Sequence, residues 1–381
     1  MTKGISGSVV DINAEEMFPR SPQLRHVVFV AACLVGMSLL VILWHFDLTD
    51  KTRSNRSDAY PLSIHKKTIE EHASQKHNNL NNNASIKFTE KVTSEKKMYE
   101  HVHTLLLFVG YSRSRHSLVS SLLDAHPHMI VADESYALRK WVYNSAWKTE
   151  KSKYEFFDTM MGNSARSVKR GRRSRQANGS AANLKIFGYS VPGQWQGTYD
   201  RYIQVIGDKT AWDSAVMLRL HGTQAIYEMK NKLGVNIKFI HVVRNPFDNI
   251  ATFVLRHKHI QARTADLNIK INASEILDEK IQLYNNWAEG TFVAHKSFPE
   301  DFLSVVSMDV VKKPTESLRK MCHFLQVTCS DRFIQDCAAI VDPVPSITRH
   351  RIIWTEKQIN NVYAVIRAFP AFFEGFTFED V

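Results

Sequence analysis

Apolar and polar positions along this chain fall into blocks. From Thr104, "TLLLFVG" is continuously apolar, "SLVSSLLDAH" carries apolar residues near i, i+3 and i+4, and "HMIVA" is a second apolar run. The first and third predict buried strands, and the spacing of the second predicts a helix. Strand, helix and strand at this separation predict a parallel α/β unit. The pattern recurs. "LKIFGYSV", "YIQVIGDKT", "NIKFIHVV" and "FLSVVSM" read as further strands, while "SAVMLRLHGTQAIYEMKNKL", "PTESLRKMCHFLQV" and "TEKQINNVYAVIRAF" carry helical spacing. No internal repeat is evident. The expectation is one α/β domain over residues 101–381, a three-layer sandwich with a central parallel sheet flanked by helices.

The N-terminal part has a different texture. Val27 to Trp44, "VVFVAACLVGMSLLVILW", is an uncharged run near the lower end of what a helix needs to cross a bilayer. It reads as a transmembrane signal anchor (27–44) after a cytoplasmic tail (1–26). A cleaved signal peptide is the alternative, but the run is long, starts late and has no clear small-x-small site before Asp47. Residues 45–100, rich in Lys, Ser, Asn and His, read as a flexible, solvated lumenal stem.

Local charge opposes this orientation mildly: Arg20 and Arg25 precede the run, and Lys51, Arg53 and Arg56 follow it. Long downstream domains translocate largely regardless of nearby charge. The sequons at Asn55, Asn83, Asn178 and Asn272 fit a lumenal body.

Composition narrows the partners without choosing one. The 381 residues are 44% hydrophobic and 23% charged with a net charge of +11, which excludes a disordered chain and favours anionic partners. Outside the anchor's Cys33, the cysteines Cys322, Cys329 and Cys337 allow one disulfide and one free thiol in an oxidising compartment, or three buried thiols. A basic stretch, Ser164 to Ser180, holds Arg166, Lys169, Arg170, Arg172, Arg173 and Arg175. It reads as an insertion: a solvated loop, a flank for an anionic acceptor, or a processing site.

The turn between the first strand and its helix is the natural place for chemistry, because free amides and the positive helix end meet there. Gly110-Tyr-Ser-Arg-Ser-Arg115-His116-Ser117 has the length of G-x-x-x-x-G-K-[ST]. Arg115 stands where that pattern has Gly and His116 where it has Lys, which counts against a nucleoside triphosphatase or kinase.

The same residues resemble the 5'-phosphosulfate loop, R-S-G-T-[TS], of the membrane-bound, Golgi-type sulfotransferases that use 3'-phosphoadenosine 5'-phosphosulfate (PAPS), whose fold is P-loop-like. Arg113, Ser114, His116 and Ser117 match, and Arg115 departs from the Gly, which puts the loop's backbone path in question. The continuation "LLDAHPHMIVADE" is similar to the tyrosylprotein sulfotransferases, with L-D-A-H-P and an acidic pair ending the next strand.

Downstream, Arg244-Asn-Pro-Phe-Asp248 with Thr252 resembles the family's 3'-phosphate motif, R-[DN]-P-x-D-x-x-x-[ST]. Arg244 leaves a strand and Thr252 lies about two helical turns on, so both can reach one phosphate. Alternatively, Asp248 caps its helix and Arg244 pairs with a surface acid. "GDKTAWDSA", "VVSMDVVKKPTESLRKMCHFLQV" (with Asp309 for the usual Glu) and "SITRHRIIW" resemble further family segments, the last one closing over the donor.

The resemblance implies that Arg113, Ser114, Arg115, His116 and Ser117 bind the 5'-phosphosulfate. It assigns the 3'-phosphate to Arg244 and Thr252, and implies no metal. Lys209 and Arg113 would stabilise charge in the transition state, and Glu134, 21 residues after Arg113, would be the base. One residue of the pair Asp133 and Glu134 could instead cap the following "SYALRKW" helix. His116 could serve a phosphate or act as a base, although a side chain facing solvent or the helix end is the plainer reading.

The implied function is sulfation of a carbohydrate hydroxyl, on a glycan or glycosaminoglycan, in the Golgi lumen. Protein tyrosine and an inactive, donor-binding homologue are the alternatives. The expected partners are an anionic acceptor and the membrane, not nucleic acid.

Overall fold

The computed structural model describes residues 97–172, 188–258 and 270–380. The tail, the anchor and nearly all the stem lie outside these residues, as do Leu184 to Phe187, Arg173 to Ser180 and the sequons at Asn55, Asn83 and Asn178. Among the described residues no helix is long and apolar enough to cross a membrane.

Five strands form one wholly parallel sheet: β1 Thr104–Val109, β2 Met129–Ala132, β3 Val205–Asp208, β4 Asn236–Val243 and β5 Phe302–Val306, in the order β2-β3-β1-β4-β5. In register, Leu107 of β1 lies opposite Asp208 of β3 and Phe239 of β4. The helices, in chain order, are α1 His116–Asp124, α2 Ala137–Tyr143, α3 Ala146–Thr149, α4 Lys153–Lys169, α5 Ala211–His221, α6 Gln224–Leu233, α7 Pro246–His257 and α8 Ser274–Ser297. They continue with α9 Ser307–Lys312, α10 Pro314–Leu325, α11 Asp331–Ala339, α12 Glu356–Ala368 and α13 Pro370–Phe373.

Every residue of β1 is buried, which is why its sequence is a continuous apolar run rather than an alternating one. Its side chains still alternate between two cores. Leu105, Leu107 and Val109 join Trp141, Phe156, Ile226, Leu255, Tyr284 and Val362 on one face. Leu106 and Phe108 join Leu118, Leu122, Leu318, Met321 and Phe333 on the other. The expected three layers are therefore present: α1, α10 and α11 cover one face, and α2, α4 to α8 and α12 cover the opposite one. Gly290 lets α8 lie close on α5, since a Cβ there would sit 2.6 Å from the Ala215 carbonyl carbon.

Three expectations are corrected. The helical stretch from Ser214 to Leu233 divides into α5 and α6 because Gly222 takes a positive φ of 63°. Tyr189 to Val191 belongs to no strand: the Tyr189 amide bonds the Arg172 carbonyl and the Val191 amide bonds Gln196 Oε1. Only the first part of the basic stretch is described, and it is not a loop, because Ser164 to Lys169 completes α4. Arg172 is buried and pairs with Asp124, itself fully buried in "LDAHP".

Asp124 also accepts from the Val131 amide at 2.6 Å, Ser164 Oγ at 2.8 Å and the Gly197 amide at 2.9 Å. This carboxylate thus ties α1, β2 and α4 together. Cys322 and Cys329 form a disulfide, and the buried free thiol of Cys337 approaches the Leu122 carbonyl near the same end of α1.

Candidate active site

In a parallel sheet the strands' carboxyl ends share one edge, and ligands bind outside that edge where strand order reverses. β1 continues to β2 on one side and has β4 on the other, so the loops after β1, β2, β3 and β4 gather there. These loops hold residues 110–115, 133–136, 209–210 and 244–245, and every predicted site residue except Ser117, His116 and Thr252 lies on one of them. Those three sit on the helices that follow.

The loop after β1 turns sharply at Gly110, where φ is 135° and a Cβ would meet His241 Cδ2 at 2.9 Å. Asn249 Nδ2 donates to the Ser112 carbonyl at 2.9 Å and Arg244 Nη1 to the Arg113 carbonyl at 3.2 Å. The carbonyls are thereby drawn toward α7. Arg113 and Arg115 both adopt the left-handed conformation, with φ of 68° and 79°. No side chain caps the amino end of α1. An uncapped helix start joined to left-handed turns gives a cradle of amides suited to an anion.

Arg115 therefore follows a left-handed path of the kind that favours glycine, at a cost of about 1 kcal/mol in backbone strain. Its charge adds to burial, the larger cause, in lowering the pKa of Arg244 to about 10. The Arg244 guanidinium stays protonated at neutral pH.

His116 does not face solvent, contrary to the plainer expectation. It is buried, with Nδ1 at 3.0 Å from the Tyr111 carbonyl and 3.2 Å from Ser114 Oγ. A carbonyl only accepts, so the Nδ1 proton belongs to that bond. Burial, then the charge of Lys209, lowers its pKa to about 3. A neutral imidazole bracing the loop is the result, and it is a weak base. Arg113 is also mostly buried; burial, then the charge of Arg256, lowers its pKa, and its Nε has no hydrogen-bond partner among the described residues.

The second cluster joins three strands' ends. Lys209, almost wholly buried after β3, places Nζ 3.0 Å from Ser117 Oγ, 2.5 Å from Asp133 Oδ1 and 3.4 Å from Glu134 Oε1. Glu134 and Tyr136 are left-handed, each with φ of 58°. Asp208 fixes this turn: its carboxylate accepts the amides of Ser135 at 2.7 Å and Ala137 at 2.8 Å, and Thr210 Oγ1 accepts the Tyr136 amide at 3.0 Å. Asp208, not the acidic pair, therefore caps α2. Burial raises its pKa despite these bonds.

The third cluster is the downstream motif. Arg244 Nη1 donates to Thr252 Oγ1 at 2.8 Å, and Nη2 donates to the Ser346 carbonyl at 2.6 Å and Thr348 Oγ1 at 3.3 Å. Asp248 does not cap its own helix. Asn245 does so, through the Phe247 amide, while Asp248 accepts the amides of Thr348 and Arg349 at 2.7 and 3.0 Å and Arg349 Nη1 at 2.6 Å. The segment "SITRHR" is in this way strapped over Arg244 and Thr252.

Arg256, one turn beyond Thr252 on the same face of α7, is a residue the sequence reading missed. The i, i+4 spacing from Thr252 was the available signal. Among the described residues, no group of three or more His, Cys, Asp or Glu side chains could hold a metal ion.

The family model for the sulfotransferase family matches residues 106–331, and the chain belongs to that family. No curated protein sequence matches the chain significantly. Similar solved structures include the sulfotransferase domain of the Synechococcus PCC 7002 olefin synthase, 11% identical with a TM-score of 0.41, the match covering 72% of this chain and 97% of that one. Sulfotransferase STF9 of Mycobacterium avium is 10% identical with a TM-score of 0.40 over 77% and 81% of the two chains. Mouse sulfotransferase SULT7A1, complexed with PAP, is 10% identical with a TM-score of 0.34 over 72% and 85%.

Proposed function

We propose that this chain transfers the sulfuryl group of PAPS to a hydroxyl of a carbohydrate acceptor, as a single-pass type II protein of the Golgi membrane with its catalytic domain in the lumen. The observation that carries this reading is Lys209, whose Nζ reaches both Ser117 at the anion cradle and the carboxylates of Asp133 and Glu134. A cation beside an anion cradle and a base within one side chain's reach is the equipment for in-line transfer.

The residues suit a donor with anions at both ends. The cradle of Arg113 to Ser117, where Arg113 Nε has no hydrogen-bond partner among the described residues, would hold the 5'-phosphosulfate. Arg244 and Thr252, with Arg115 beside them, would hold the 3'-phosphate. The donor supplies an activated sulfuryl group: as the acceptor oxygen bonds to sulfur, the bond from sulfur to the 5'-phosphate oxygen breaks and 3'-phosphoadenosine 5'-phosphate (PAP) leaves. Glu134 would take the acceptor hydroxyl's proton, and Lys209 and Arg113 would offset charge gathering on the departing phosphate oxygen. His116 and Asp208 would position the loop and the base. The glycine-like path at Arg115 favours an active enzyme over a binding protein that has lost turnover.

Resemblance to the tyrosine enzymes thins beyond Glu134, and the net charge of +11 suits an acidic glycan. The Cys322–Cys329 disulfide supports an oxidising lumen, and Asn272 is exposed for glycosylation. The test is incubation of the full-length chain with ³⁵S-labelled PAPS and a panel of glycans, glycosaminoglycans and tyrosine peptides. Label on a carbohydrate is expected. Label on tyrosine peptides alone would replace the acceptor, and PAP binding with no labelled product would favour the inactive homologue.

A further inference from the structure

Lys209 faces two carboxylates, and they are not equivalent. Its ammonium lies 2.5 Å from Asp133 but 3.4 Å from Glu134. Asp133 is also seated against a helix. Its amide donates to Asn163 Oδ1 at 2.6 Å and its Oδ2 accepts from Ser167 Oγ at 3.2 Å. Asn163 and Ser167 are one turn apart on α4, so α4 presents a fixed seat for Asp133.

We infer that Asp133 is the resting counter-ion of Lys209, and that the donor must draw Lys209 away from it. The inference rests on the PAPS reading above. A buried ammonium needs acceptors for its three protons, and Asp133, Glu134 and Ser117 supply them in the structure. Ser117 belongs to the cradle, so an anion held there lies within reach of the same ammonium, and the four-carbon stem lets Nζ move while its Cα stays fixed.

Asp133 therefore competes with the donor for one cation. The competition has a use: it keeps a buried positive charge neutralised before the donor binds, and it offers Lys209 a place to return to when the 5'-phosphate of PAP departs. Asp133 acts through Lys209 and is a positioning residue, whereas Glu134 is the proposed base.

The experiment is titration calorimetry of PAP with the full-length chain, its Asp133→Asn and Lys209→Ala variants and the double variant, with stopped-flow measurement of PAP release. Asp133→Asn should bind PAP about tenfold more tightly and release it more slowly by a similar factor. In the Lys209→Ala background the same change should have no effect. An equal tightening in that background would mean simple repulsion between Asp133 and PAP and would overturn the inference. So would unchanged or weaker binding by Asp133→Asn, with the PAPS reading intact. Failure of the wild-type chain to bind PAP would remove the PAPS reading itself, and this inference with it.

Discussion

Arg244 Nη1 donates to Thr252 Oγ1 across 2.8 Å, joining a strand end to the second turn of the next helix. The contact brings a fixed guanidinium and a hydroxyl to one point, as shared recognition of a phosphate requires. Arg244→Ala is expected to weaken PAP binding roughly 30-fold or more, and Thr252→Ala about fivefold, on the usual worth of charged and neutral hydrogen bonds. Calorimetry checks this; an Arg244→Ala variant that stays folded and binds PAP normally would remove the 3'-phosphate assignment.

Arg115 holds φ at 79°, a conformation that suits glycine. Arg115→Gly should relieve this strain, less the entropy glycine adds to the unfolded chain, for a net gain of roughly 0.5–1 kcal/mol. PAP affinity should fall at the same time because a cation beside Arg244 is lost. Thermal unfolding and calorimetry on the same preparation read the two effects, and a rise in affinity would show that Arg115 opposes the donor.

Arg172 and Asp124 are a buried pair, so removing the cation alone leaves an uncompensated carboxylate. Arg172→Met is expected to lose about 3–5 kcal/mol of stability. Adding Asp124→Asn should recover part of the loss, as urea unfolding would show; a single variant within 1 kcal/mol of wild type by that measure would contradict a structural role.

His116 supplies a pH test. Its native pKa is held down at about 3, mainly by burial, against the usual 6.5. Between those values the unfolded chain binds a proton that the native chain refuses. The stability it contributes is therefore complete above pH 6.5 and declines as pH falls below it. His241, held at about 3, and His126, at about 4, act in the same direction, each chiefly through burial. Relative to wild type, His116→Asn should lose about 2 kcal/mol less stability between pH 6.5 and 5. Identical losses in urea titrations would mean that His116 is not a buried neutral imidazole.

Much of the fold was legible because parallel strands buried on both faces announce themselves as apolar runs: "TLLLFVG", "HMIVA" and "NIKFIHVV" became β1, β2 and β4. The spacing from Arg244 to Thr252 likewise predicted a meeting that the structure contains. What could not be read was partnership across distance. Asp248 looked like a helix cap, yet its partners Thr348 and Arg349 lie 100 and 101 residues away. Asp208 caps a helix 71 residues earlier in the chain, and Arg172 looked like one charge among six until Asp124 proved to be waiting for it. Local patterns encode which face is buried, while the closure of polar groups depends on which loops the sheet order brings together.

The most direct test of the account is transfer of ³⁵S from PAPS by the full-length chain and by its Glu134→Gln variant, each first shown to bind PAP. The account predicts labelled carbohydrate and stoichiometric PAP from the wild type. It predicts a loss of at least 100-fold in transfer, with PAP binding retained, in the variant. Transfer by the variant at the wild-type rate would contradict Glu134 as the base, and no transfer by a PAP-binding wild type to any acceptor would contradict the enzyme.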